Sequence, residues 1–240
     1  DVKKTMKHLW MVEDVPARLE KTLDELTGLL ERASREGCRV AALPEDTLGL
    51  GEWEAAHPKE LNGLLARAVP LMLERLGRAA AALRMTVVCC NDSAAPNGRV
   101  RNTAFLIGPD GREIGRYDKV GMPLQEMHKE RGTTFPVFPT PDLGLLGMLI
   151  CYDMVFPEGA RCLALGGADV VFHPTLGGAA IGDDDISRAA FRTRAVENFV
   201  YIVVSQRGSG SLILSPQGRI LAEAQGPDSL AIAASDPVRG

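Results

Sequence analysis

The sequence predicts an α/β fold in which sheets pack face to face beneath outer layers of helix. Three observations predict it. Helical apolar stripes alternate with short aliphatic runs, two similar hairpin-like pieces recur far apart, and no low-complexity linker divides residues 1–240, which read as one domain. A chain of 240 residues, 45% hydrophobic and 24% charged, is long enough to bury a large core.

Taken in order, residues 16–36 carry a helical stripe at Leu19, Leu23, Leu26, Leu29, Leu30 and Ala33, stopped by Gly37. Residues 39–43 form a short strand closed by Pro44-Glu45. Residues 59–84 are Leu- and Ala-rich and helical, with Pro70 expected to kink or divide them. Residues 85–91 make a strand. Residues 105–114 and 212–221 each show an apolar strand, a Pro-x-Gly turn, an arginine and a second strand, which suggests two related α/β halves. Between them, 145–150 read as a buried strand running into Cys151, and Pro157 suits the first turn of a helix near 157–166. A strand at 169–172, a helix near 184–198 and an apolar run at 199–204 follow.

Bulk properties narrow the function classes. A formal net charge of −4 gives no reason to expect nucleic acid or an acidic membrane as partner, and the apolar stretches fall short of a bilayer span. Asp1-Val2-Lys3-Lys4 leads into a mixed stretch unlike a signal peptide. Five cysteines, at 38, 89, 90, 151 and 162, make an odd count without Cys-x-x-Cys spacing, against a disulfide framework or a structural zinc site. A reducing cytoplasm is the expected compartment. Cys38, Cys89, Cys90 and Cys162 read as packing residues. The four histidines lack metal-ligand spacing, so no metal is expected.

Three positions share one character: a strand ends and a reactive group follows. Cys151 sits at a strand's C-terminal rim, facing an expected helix N-terminus that would favour a thiolate; the bland reading is a small core hydrophobe. Glu45 follows Leu43-Pro44, where one-sided desolvation would raise its pKa towards useful general-base values; a loop acid or helix cap is the alternative. Lys119 follows the first hairpin, where a fixed ammonium can stabilise an oxyanion; otherwise it is a surface lysine.

Together these pieces resemble the nitrilase, or carbon–nitrogen hydrolase, superfamily. The resemblance rests on Leu43-Pro44-Glu45, on Tyr117-Asp118-Lys119-Val120 and on Ile150-Cys151-Tyr152-Asp153 with Phe156-Pro157-Glu158. It extends through Ala160-Arg161, the Gly166-Gly167-Ala168-Asp169 run, His173-Pro174-Thr175 and Arg194-Ala195-Val196-Glu197-Asn198, over about residues 16–235. It implies a four-layer α-β-β-α sandwich assembled as a homodimer or larger homo-oligomer. It also implies a Glu45, Lys119 and Cys151 site and a second glutamate that positions substrate, for which Glu126 fits best and Glu130 is the runner-up. The implied chemistry needs no cofactor. Glu45 takes the thiol proton as Cys151 attacks an amide-type carbon, Lys119 and the Tyr152 backbone N–H hold the oxyanion, and water then clears a thioester. The implied substrate is a small amide or N-carbamoyl compound, favoured by Tyr152-Asp153 after the cysteine. A nitrile substrate and a catalytically silent binding protein are the rivals.

Departures from the family pattern are Gly121 where histidine is frequent, a short 127–135 loop, and only residues 8–12 to supply a first strand. Other features take bland readings. Asp183, Asp184 and Asp185 open a helix. Arg188, Arg192 and Arg194 line a solvated or subunit face. His173 either touches the pocket or is structural, and Trp53 and His57 could shape substrate entry.

Overall fold

A computed structural model describes residues 15–140, 144–177, 184–226 and 229–234. The expected strand at 8–12 lies outside the described residues, as does Asp183. Helix α1, Val15–Arg35, buries Val15, Leu19, Leu23, Leu30 and Ala33, one stripe at helical spacing. Its end is set where Gly37 takes φ 81 and the Cys38 N–H reaches the Ala33 carbonyl at 3.0 Å. Strand β1, Val40–Ala42, is followed by a short helix α2, Gly51–Ala56, which the sequence reading did not anticipate.

Helix α3, Leu61–Leu83, runs as one element through Pro70. The expected division does not occur. Pro70 and Ala66 both lie on the exposed side, so the carbonyl that Pro70 leaves without a donor can be met by water.

Strands β2, Thr86–Ala94, β3, Val100–Ile107, and β4, Glu113–Asp118, complete a four-stranded sheet in the order β1-β2-β3-β4. The second sheet is six-stranded, β10-β9-β8-β7-β6-β5, built from Val137–Thr140 (β5), Gly144–Met148 (β6), Val170–Thr175 (β7), Tyr201–Gln206 (β8), Leu212–Leu214 (β9) and Ile220–Glu223 (β10). Its centre, β6-β7-β8, is parallel, as the intervening helices α4, Pro157–Leu165, and α5, Asp184–Asn198, require.

Strand alternation divides the core. In β2 and β3, Val87, Cys89, Phe105 and Ile107 join the cluster under α1 and α3. Their neighbours Val88, Cys90, Ala104 and Leu106 belong to a second cluster with Leu146, Met148, Val170 and Phe172 of the other sheet and Leu163, Phe191 and Ala195 of α4 and α5. Both faces of each sheet are therefore covered, giving helix, sheet, sheet, helix. Each such aliphatic side chain contributes roughly 1.5–3 kcal/mol by leaving water.

Both expected hairpins form, β3-β4 and β9-β10, with Gly111 at φ 81 and Gly218 at φ 71 in their turns. The first turn also meets α3, where a Cβ on Gly77 would lie 2.6 Å from the Gly111 carbonyl oxygen. Among the described residues no helix is long and apolar enough to cross a membrane.

Candidate active site

Beyond β1 the chain stays bound to β2 for several more residues. The Leu43 N–H donates to the Val88 carbonyl and the Thr47 N–H to the Cys90 carbonyl, both at 2.8 Å. Glu45, 2% exposed, is thereby fixed at the rim of the first sheet. Asp46, in the left-handed region at φ 53, accepts the Leu50 N–H at 2.7 Å and opens α2. Arg207, just past β8, pairs with Asp46 at 2.8 Å and ties the two sheets together beside the site.

Lys119 leaves β4 with its backbone N–H on the Asn102 carbonyl at 2.9 Å, and its side chain is fully buried. Its ammonium donates to Glu45 Oε1 at 3.2 Å and to both carboxylate oxygens of Glu126 at 3.0 Å. Glu126 sits in a single 3₁₀ turn, Leu124–Glu126. Glu130 instead bonds Asn97 at 2.5 Å and Arg101, away from this group.

Cys151 does not begin an α-helix. Strand β6 stops at Met148, and Cys151 opens a 3₁₀ turn, Cys151–Val155, with α4 starting only at Pro157. Its backbone lies in the left-handed region at φ 45, a conformation unusual for a side chain with a Cβ, and the structure must hold it there. Asp153 does much of that holding. Its buried carboxylate accepts the Ile150 N–H at 2.8 Å, the Tyr117 hydroxyl at 2.7 Å and the Gly121 N–H at 2.5 Å. This also accounts for Gly121: a Cβ there would lie 2.9 Å from an Asp153 carboxylate oxygen and 3.2 Å from its Cα. Tyr152, whose backbone N–H directly follows the sulfur-bearing residue, is half-buried in the same turn.

Glu45 and Cys151 lie close enough for each to act on the other's ionisation: the carboxylate charge raises the thiol, and the thiol helps to lower the carboxyl. The structure thus brings Glu45, Lys119, Glu126 and Cys151 into one connected group. Burial would push the Glu45 carboxyl up, yet Lys119, the Asn102 amide at 2.7 Å and the Leu176 N–H at 2.9 Å hold it below the ordinary value. Lys119 is held above its ordinary value: burial opposes the charge, and Glu45, Cys151 and Glu126 outweigh it. Burial and then the Glu45 charge push the Cys151 thiol up to about 12, against the opposing pull of Lys119 and a Thr175 hydrogen bond. Two sequence expectations are corrected here. The thiol is not held as a thiolate, because burial and then the neighbouring Glu45 anion outweigh Lys119 and the other influences that favour ionisation. The Glu45 pKa is not raised, because three donors oppose the burial.

A cavity of about 290 Å³ opens onto Cys151 and is walled by His173, Thr175, Arg188, Gln206 and Glu223. Arg188 therefore does not lie on a merely solvated face; it forms a two-pronged pair with Glu223 at 2.6 and 3.0 Å. Arg192 reaches the Gly218 carbonyl at 2.8 Å, and Arg194 pairs with Glu197 at 3.2 Å. His173 is buried against the Phe191 ring and touches the cavity. Trp53 is a core residue with His57 stacked on it at 4.6 Å, not part of this group. Cys89 and Cys90 are buried as read, whereas Cys162 is exposed on α4 and does not pack. Asn102 and the Leu176 N–H were missed by sequence reasoning, where their only signal was proximity to strand ends; Thr175 stood in the His173-Pro174-Thr175 motif without a role assigned to it.

A family model described as carbon-nitrogen hydrolase matches residues 7–239. The chain is 32% identical to the deaminated glutathione amidase of a Synechocystis strain, covering 92% of this chain and 88% of that protein. It is also 32% identical to the nitrilase of Pyrococcus abyssi, over 85% of this chain and 79% of that one. Among solved structures, the NitN amidase of Nesterenkonia sp. AN1 superposes with a TM-score of 0.78 at 26% identity, covering 91% of this chain and 88% of that chain.

Proposed function

The chain belongs to the carbon–nitrogen hydrolase family, and from that premise we propose that it is an amidohydrolase working through a thioester on Cys151. The observation that carries the proposal is the buried chain of hydrogen bonds from Glu126 through Lys119 to Glu45, with the Cys151 sulfur beside it and raised by the Glu45 charge. At rest the reading assigns an ionised Glu45, a protonated Lys119 and a neutral thiol. Ionising a thiol near 12 in advance at neutral pH would cost on the order of 7 kcal/mol. Proton transfer to Glu45 therefore accompanies the attack of sulfur on the amide carbon rather than preceding it.

As the C–S bond forms, charge moves to the amide oxygen. Lysine has three N–H donors, and the bonds to Glu45 and to the two oxygens of Glu126 occupy all three, so one Glu126 bond is exchanged for that oxyanion, which the Tyr152 backbone N–H also holds. Collapse of the adduct breaks the C–N bond, and Glu45 returns its proton to the departing ammonia or amine. Water, deprotonated by the same carboxylate, adds to the thioester and releases the acid, and the sulfur regains its proton. Glu126 serves by holding Lys119 in place and facing the substrate. In the Nesterenkonia relative, the acetamide moiety of fluoroacetamide is covalently added at the active-site cysteine, which supports the same role for Cys151.

A small amide or N-carbamoyl compound is the proposed substrate, turned over by a homo-oligomer in the cytoplasm. The test is ammonia release from a panel of amides, N-carbamoyl compounds and matched nitriles. Wild type is expected to turn over amides, Cys151→Ala to lose activity fully, and Lys119→Met to lose about 10²–10³ in kcat, the usual cost of one oxyanion donor. Full turnover by Cys151→Ala would end the proposal. Faster turnover of the nitriles would favour the reading that the Pyrococcus relative suggests.

A further inference from the structure

Glu126 holds the Lys119 ammonium, yet it stands in a single 3₁₀ turn, Leu124–Glu126, whose Leu124 is exposed. Lys129, which the mechanism does not use, ties that turn down. Its backbone N–H donates to the Glu126 carbonyl at 2.9 Å, and its mostly buried side chain ends 2.5 Å from an oxygen of the buried Asp92 carboxylate. Asp92 lies in β2 directly opposite Asn102 of β3. Side chains opposite one another in a ladder share a face of the sheet. The Asn102 amide donates to Glu45, and its carbonyl takes the Lys119 backbone N–H. The turn is therefore fastened to the same rung of the sheet that holds Glu45 and Lys119. Burial opposes the charge on Lys129, and Asp92 and then Glu126 outweigh it, so the ammonium is held above its ordinary value. Glu54 of α2 is the third carboxyl acting on this ammonium. Burial, then the Asp92 and Asp46 charges, push it up to about 10, so it is neutral at pH 7 and Asp92 is the anion paired with Lys129.

We propose that the Lys129–Asp92 pair is a positioning device for the reaction: it anchors the turn bearing Glu126 and, through Glu126, sets the Lys119 ammonium where the oxyanion forms. The inference rests on the amidohydrolase reading for the bond that is cleaved, but the adduct used to test it forms without cleavage. Attack on the amide requires Lys119 to exchange one Glu126 bond for the oxyanion. A Glu126 free to follow the ammonium would keep both bonds, whereas an anchored one lets the ammonium turn. Misplacing a reacting group by about 1 Å can cost on the order of 10²-fold in rate. Stability alone gives no reason for a buried pair at this position, since apolar side chains of similar volume often serve as well.

The test compares wild type with Lys129→Met, Lys129→Arg and the double variant Lys129→Met/Asp92→Leu. Two quantities are read: butyramide hydrolysis, and calorimetric binding of butyraldehyde against a Cys151→Ala blank. The aldehyde accepts the Cys151 sulfur at its carbonyl carbon and the thiol proton at its oxygen, so the C–S bond forms with no leaving group. Lys129→Met is expected to lose about 10–100-fold in kcat with KM within about threefold, and to bind the aldehyde about tenfold more weakly. Lys129→Arg, which keeps a cation for Asp92, should recover most of both. The double variant leaves neither charge of the pair unpaired, so it is expected to melt near wild type yet stay as slow as Lys129→Met. A merely structural pair would return activity together with stability. If kcat and aldehyde affinity stay within about twofold of wild type in either methionine variant that folds, the inference is overturned. If the aldehyde discriminates as expected but wild type cleaves no amide, the positioning inference stands and the amidohydrolase reading fails.

Discussion

Cys151 shows how far a side chain's chemistry depends on neighbours remote in sequence. Glu45 is bonded by Lys119, 74 positions away, and by the Leu176 N–H, 131 positions away, and its charge in turn raises the thiol. A sulfur held near 12 has about three powers of ten less thiolate than an ordinary cysteine at the same pH, partly offset by greater intrinsic nucleophilicity. With N-ethylmaleimide at pH 7.5, exposed Cys162 is therefore expected to react first, with Cys151 roughly fiftyfold slower than a thiol of ordinary pKa. Peptide mapping by mass spectrometry reads the order. Labelling of Cys151 ahead of Cys162 would mean that the buried sulfur is ionised at rest and that the concerted transfer is unnecessary. At this scale the sequence picked out residues that the fold brings together, but not their charge states, which are sums over burial and partners that only folding assembles.

Elements position those residues through close approaches of backbone. Helix α3 lies against the turn between β3 and β4, and Gly77 makes room for the Gly111 carbonyl. Helix propensity alone predicts that Gly77→Ala stabilises by about 1 kcal/mol. The added Cβ would stand 2.6 Å from a backbone oxygen, so a net loss of about 1–3 kcal/mol is expected instead. Urea unfolding of the two proteins decides between them, and a higher midpoint for the variant would show that the turn yields freely. Strand and helix placements were largely legible because their periodicities are local. Helix α2 and the two 3₁₀ turns were not: α2 is only six residues, Gly51–Ala56, too short for a period to show, and it is opened by the Asp46 carboxylate rather than by an apolar stripe.

For the molecule as a whole, stability couples to pH through His173. Its folded pKa is lowered to about 4 by burial, below its ordinary value, so between those values the unfolded chain binds a proton that the folded one does not. The contribution is complete above about pH 6.5 and is lost as pH falls towards 4, amounting to about 3 kcal/mol. Asp153 and Asp92, raised by burial, act in the opposite sense, so the comparison must be between proteins differing at one position. Denaturant stability of wild type minus His173→Gln, measured from pH 7.5 to 4.5, is expected to fall with acid. A difference that does not change with pH would mean that the imidazole is not kept neutral by the fold.

Much was determined by the sequence alone: the α/β alternation, the two hairpins and the succession Glu45, Lys119, Cys151. These follow from side-chain periodicity, turn chemistry and motif order, which are properties of neighbours along the chain. Tertiary structure decided the rest: that Glu126 rather than Glu130 reaches Lys119, that Asp153 locks the turn bearing the sulfur, that Asn102 and Leu176 keep Glu45 ionised, and that Arg188 and His173 wall a cavity. Each of these depends on distance and desolvation between segments brought together only when two sheets close on one another, and neither quantity is encoded in any one stretch of residues.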